Sequence, residues 1–237
     1  MKIFITPEII IASSPTLTPS LKAANNKMQQ SFILSLLLSA TASAAAGQSK
    51  APRASTSAFE GRLFFDFRNL DSPHVPDPID NFDQAQNAPA THAYFNSAEW
   101  TDTWAIMSWD KPVTDKAPVH MTNSLNNVYI QANNDENAES STFLTLRTVR
   151  HEDFQSVAEF DSIRQDYQYV SMKMYARTIG DAGACTAMFT YLLPEGQKVQ
   201  EADLEILTKD QDNVVHYTNQ PGYDPETDTS NPDATRK

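Results

Sequence analysis

Three carboxylates recur at every second residue in the run Glu201-Ala-Asp203-Leu-Glu205. Side chains on a strand alternate between faces, so Glu201, Asp203 and Glu205 share one face and Gln200, Ala202, Leu204 and Ile206 the other. Like charges gathered in a cleft disfavour simultaneous ionisation, which raises at least one carboxyl pKa and lets an acid and a base coexist near neutral pH. Glycoside hydrolysis needs such a pair: one carboxyl protonates the departing oxygen while the other attacks the sugar or activates water. Spacing alone leaves the pair open. Residues four apart lie about 13 Å apart along a strand at ~3.3 Å per residue, whereas a retaining pair needs carboxyls roughly 5–5.5 Å apart. Glu201 and Glu205 meet that requirement only on a concave sheet, with both side chains leaning over Asp203. An exposed edge strand of solvated acids fits the same spacing, as does a calcium site drawing on several oxygens.

The elements that must position these groups read as strands. Short runs rich in aromatic and β-branched residues lie between Pro, Asn, Asp and Gly clusters, over residues 62–67, 127–131, 142–149, 167–179, 184–192, 199–207 and 213–218. Residues 167–177 alternate most clearly, with Val170, Met172, Met174 and Ala176 on one face and Tyr169, Ser171, Lys173, Tyr175 and Arg177 on the other. Residues 154–163 fit a helix or a strand equally. Residues 71–92, 110–126 and 132–141 are polar or proline-rich and read as loops. No repeat of 20 to 50 residues is evident, which leaves out propellers and solenoids. The pattern predicts an all-β sandwich.

Here the chain resembles glycoside hydrolase family 16, the laminarinase and lichenase group, in its secreted fungal branch. The Glu201-Ala-Asp203-Leu-Glu205 run is similar to the family's E-x-D-x-E signature. The resemblance extends over Phe65-Asp-Phe-Arg68, Asn127-Val-Tyr-Ile130, Leu144-Thr-Leu-Arg-Thr148, Gly180-Asp-Ala-Gly-Ala-Cys185, Phe189-Thr-Tyr191 and His216-Tyr-Thr-Asn-Gln-Pro221. It covers roughly residues 59–222. The likeness implies a concanavalin A-like β-jelly-roll sandwich and retaining hydrolysis, or transglycosylation, of a β-1,3 or mixed-linkage glucan. It also implies roles: Glu201 as nucleophile, Glu205 as acid/base, and Asp203 as the residue that tunes and orients them. No cofactor or metal is implied. Where the family continues with further tryptophan-containing strands, this chain has an acidic tail, so the jelly roll over residues 59–220 is expected to be incomplete. A truncated, catalytically silent glucan-binding or remnant protein is the alternative.

Trp100, Trp104 and Trp109 cluster within ten residues, and flat indoles suit sugar stacking; Trp104 and Trp109 are the candidate subsite platforms, against a role in the core. Tyr191, His216 and Asn219 lie on runs that flank the carboxylate strand in sequence and are candidate substrate contacts, against cross-strand packing. Cys185, the single cysteine, excludes an intramolecular disulfide and reads as a buried small residue. His74, His92, His120, His151 and His216 have no HxH or HExxH spacing, so no zinc site follows. Neither a GxSxG elbow nor a glycine-rich phosphate loop is present.

Of the 237 residues, 18 are Lys or Arg and 30 are Asp or Glu, a net charge of −12 that opposes binding to nucleic acid. Residues 31–40, Ser-Phe-Ile-Leu-Ser-Leu-Leu-Leu-Ser-Ala, form an apolar run too short to span a bilayer but suited to a signal-peptide core. Ala42-Ser-Ala44 and Ala44-Ala-Ala46 both satisfy a small-x-small cleavage rule. The expected organisation is a leader at 1–27 upstream of an initiating Met28, a signal peptide at 28–46, a flexible linker at 47–58, the sandwich at 59–220 and a disordered tail at 221–237. The expected product is a secreted monomer of the extracellular space or cell wall that meets β-glucan and, after signal cleavage, no membrane.

Overall fold

The computed structural model describes residues 6–12, 59–115, 117–165, 167, 169–193, 199–210, 214–220, 222–224, 229–230 and 235–236. The proposed signal core, its cleavage sites, Met28 and the 47–58 linker lie outside the described residues. The protein is all-β, with several mainly antiparallel sheets and few helices. Among the described residues no helix is long and apolar enough to cross a membrane.

Strands β1 (Thr6–Ala12) and β2 (Phe59–Phe64) come first, followed by helix α1 (Phe82–Asn87) and helix α2 (Ala98–Thr101). The chain then forms β3 (Trp104–Ile106), β4 (Asp110–Lys111), β5 (His120–Asn123), β6 (Val128–Ala132), β7 (Thr142–Leu146), β8 (Val149–Arg150), β9 (Phe154–Val157), β10 (Phe160–Ser162) and β11 (Tyr169–Tyr175). The candidate catalytic run lies in the next group, β12 (Cys185–Leu192), β13 (Gln200–Leu207) and β14 (His216–Gln220). Three two-residue strands close the series: β15 (Tyr223–Asp224), β16 (Thr229–Ser230) and β17 (Thr235–Arg236). The sheets have the orders β11-β1-β2, β10-β3, β12-β13-β14-β17, β15-β16, β4-β5-β9-β8 and β6-β7. All pairs are antiparallel except β5 with β9.

The main core joins the turn after β2 to β3, β6, β7 and β11. Phe65, Phe67, Phe95, Trp100, Trp104, Val128, Ile130, Leu144 and Val170 form one buried cluster. Its aromatic centre is built edge to face, with Trp100 centred 5.2 Å from Phe95 and 5.1 Å from Phe160, and Trp104 5.0 Å from Phe160. These geometries set ring edges against ring faces and add to the gain from apolar burial. Strand β11 has the alternation expected of it: Val170 is 1% exposed and Met172 and Met174 pack on the core, while Tyr175 on the other face is 80% exposed. A smaller cluster of Ile79, Ala85 and Phe154 seats α1. That helix is capped by Asn81, whose side chain accepts from Gln84 N at 3.0 Å.

Several sequence expectations change here. Residues 110–126, read as a loop, contain β4 and β5, and the 71–92 loop contains α1. Residues 154–163, which fitted two readings, form β9 and β10. Within 221–237 the described residues include the two-residue strands β15, β16 and β17, and the rest of that expected tail lies outside the described residues. Thr6–Ala12, in the stretch expected to precede the initiating methionine, is the middle strand of β11-β1-β2.

Candidate active site

Register puts the three carboxylates in rows across the sheet. Glu201 lies between Tyr191 and Gln220, Asp203 between Phe189 and Thr218, and Glu205 between Ala187 and His216. All are on one face because antiparallel partners point the same way. Ile206 favours a pleated surface, and just past the strand's end at Leu207 Thr208 N still donates across to Ala184 O at 3.0 Å. Thr208 Oγ1 accepts from Ala184 N at 3.0 Å and donates to Asp181 O at 2.7 Å, which fixes the start of β12 against the end of β13. The turn leading into β12 holds Gly183 at φ +120, a conformation that other residues rarely adopt.

The carboxyls interact. Asp203 is pushed up to about 7, first by desolvation and then by the negative charges of Glu201 and Glu205. Its carboxyl hydrogen-bonds to that of Glu201, raising its own pKa and lowering that of Glu201. Glu201 is raised overall, because desolvation and the charge of Glu205 outweigh that bond. Desolvation and the neighbouring charges thus favour the protonated form of Asp203, which hydrogen-bonds to Glu201.

Neighbours from β12 and β14 complete the surface. Cys185 Sγ lies 3.6 Å from Glu205 Oε1 and donates to it. The residue is exposed rather than buried as the sequence suggested, because the carboxylate face of β12 turns to solvent. Even so, desolvation of the sulfur and the charge of Glu205 push the thiol up to about 12. His216 is buried and its Nε2 hydrogen-bonds to Asp210 Oδ2. Asp210 follows the end of β13, so this contact ties β14 to the turn after the carboxylate strand.

The other candidate residues are dispersed. Asn219 pairs with Ala202 and lies on the face opposite the carboxylates. Trp104 is 5% exposed within the aromatic core, so its face is already covered and offers no stacking platform. Trp109 is half-buried and its Nε1 donates to Glu159 Oε2 at 2.9 Å. The same oxygen accepts from Asn123 Nδ2, and burial pushes Glu159 up. This Trp109–Glu159–Asn123 group was not legible in the sequence, since its members are 36 and 50 residues apart and share no motif.

The far face of the sheet was expected to be an apolar underside. Leu204 is half-buried, but Ile206 is 38% and Tyr217 44% exposed. An open cavity of about 630 Å³ lies elsewhere, against α1, lined by Asp77, Ile79, Asp83, Gln84, Pro89 and Asn126. Among the described residues no group of three His, Cys, Asp or Glu side chains is arranged to hold a metal ion. No family model, no curated protein and no solved structure matches the chain.

Proposed function

We propose that the protein is a secreted glycosidase of the family 16 type, with a partial concanavalin A-like jelly roll, that cleaves or transfers β-1,3 or mixed-linkage glucans with retention. The observation that supports this reading is the register that sets Glu201, Asp203 and Glu205 on one strand face, where desolvation and its two carboxylate neighbours push Asp203 up to about 7. A retaining pair is two carboxyls of unequal affinity for a proton that flank the scissile bond, one facing the anomeric carbon and one the departing oxygen. In this reading the Glu201 carboxylate attacks the anomeric carbon as Glu205 gives its proton to the departing oxygen, and the glycosidic bond breaks. Water then attacks the same carbon, its proton returns to Glu205, and the Glu201 carboxylate is released. Asp203 donates to Glu201 between these steps and aligns its attacking oxygen. In this reading Tyr191 and Gln220, which flank Glu201 in its row, contact the sugar.

Reducing-sugar release from laminarin and lichenan by the purified chain tests the reading, with Glu201→Gln beside it. Release by the parent and not by the variant supports it; release by neither refutes it.

A second reading has its own observation. The exposed Ile206 and Tyr217 leave the carboxylate sheet without the covered underside that holds a cleft rigid. That favours a glucan-binding or remnant protein without turnover, and binding of laminarin with no product release would select it.

A further inference from the structure

Glu205 has unlike neighbours on its two sides. In its row β12 supplies Ala187 and β14 supplies His216. Side chains directly opposite on one face have Cβ atoms about 4.5–5.5 Å apart, so both residues border the space through which the Glu205 side chain turns. Ala187 is exposed and offers only a methyl group, which leaves the β12 side open. On that side the carboxyl reaches one rung further along, where Cys185, the partner of Leu207, donates to Glu205 Oε1 at 3.6 Å.

The β14 side is closed. His216 is buried, and its Nε2 donates to Asp210 Oδ2. Asp210 is itself fixed just past the end of β13, where its N–H donates to Leu207 O at 3.1 Å. A ring held at its far nitrogen does not turn aside to admit a neighbouring side chain. The volume beside Glu205 toward β14 is therefore filled by a group that stays in place.

We propose that His216, held by Asp210, is the positioning residue of Glu205: its ring fills the β14 side and confines the Glu205 carboxyl to the β12 side. Its part in glycan cleavage rests on the glycosidase reading; the confinement of Glu205 does not. In that reading a confined carboxyl meets the departing oxygen without being gathered from alternative places, which lowers the barrier to the chemical step and leaves sugar binding alone.

The test reads Cys185 and turnover separately. His216→Ala opens the β14 side, so Glu205 leaves the thiol, and iodoacetamide should label Cys185 of the folded chain at least about threefold faster. In a Glu205→Gln background the same change should add nothing, because the charge through which His216 acts is gone. A general loosening of the sheet would speed labelling in both backgrounds. An unchanged rate in the single variant, or equal acceleration in both backgrounds, overturns the proposal. On laminarin, His216→Ala should lower kcat about tenfold or more with KM within about twofold, and a rise in KM alone overturns the role in cleavage. A parent that releases no sugar refutes the glycosidase reading, while the labelling cycle still decides whether His216 confines Glu205. Should His216→Ala not fold, Asp210→Ala decides, since it frees the ring without emptying the site: labelling should speed up only where Glu205 is present, and an unchanged rate overturns the proposal.

Discussion

Cys185 Sγ donates to Glu205 Oε1 across the β12–β13 ladder at 3.6 Å, diagonally from the Ala187↔Glu205 pair. Desolvation of the sulfur first, and the Glu205 carboxylate second, favour the protonated thiol.

Alkylation measures this. With the thiol at about 12, its thiolate fraction at pH 8 is lower by on the order of 10³ than that of an ordinary thiol near 8.5. The greater nucleophilicity of a more basic thiolate recovers part of that loss. Iodoacetamide should label native Cys185 at least about tenfold more slowly than the unfolded chain. Glu205→Gln should speed labelling of the folded protein. Native and unfolded rates that coincide would contradict the geometry.

Asp203 predicts a direction for stability against pH. Its folded pKa, about 7, lies above the ordinary 3.8, so the folded state binds the proton more tightly. That contribution is fully present below about pH 4 and is lost as pH rises through about 7. Asp203 is partly solvated, and screening reduces the full linkage to on the order of 1–2 kcal/mol. Asp203→Asn should flatten the fall in Tm between pH 4 and 8 and be the more stable form at pH 8. A parent whose Tm rises over that range relative to the variant would refute the assignment.

Glu201→Gln and Glu205→Gln should each lower glucan turnover by about 10²–10⁴ or more, the range for a lost acid, base or nucleophile. Both residues are half-buried and Gln keeps the shape of Glu, so the Tm of each variant should stay near that of the parent. Activity that survives either change would remove that residue from the proposed mechanism.

Trp104 separates packing from stacking. Trp104→Ala should cost about 3–5 kcal/mol, as expected for emptying a buried aromatic site. Trp104→Phe should retain most stability and leave laminarin affinity unchanged, because the indole face is covered by Phe65, Trp100 and Phe160. A weaker affinity in a well-folded Trp104→Phe protein would return this residue to the sugar site.

Strands β11, β12 and β13 were legible because each is long enough to show period 2. Even there the sequence told only which residues share a face: the carboxylates of β13 and the cysteine of β12 lie together, but whether that face is covered depends on layers far away in the chain. Strands β4, β5, β9 and β10 have two to four residues each. They are stabilised by non-local pairing, including the parallel β5–β9 ladder, which leaves no periodic trace. Trp104 and Trp109 were alike in sequence yet differ in place, because Phe160 covers one and Glu159 hydrogen-bonds the other. Two consecutive residues of one later segment decide that difference.

The placement of β1 also sets an order of events during synthesis. Thr6 and Tyr175 pair across about 170 positions, so at ~5–20 residues per second the first strand made waits on the order of 10–30 s for one of its partners. β2 follows after some 50 residues and can pair much sooner. Throughout the interval a stretch with three successive isoleucines, Ile9 to Ile11, has one edge without its final neighbour. Nascent chains crowded on one message would be most prone to join one another during that wait, and a finished chain least so.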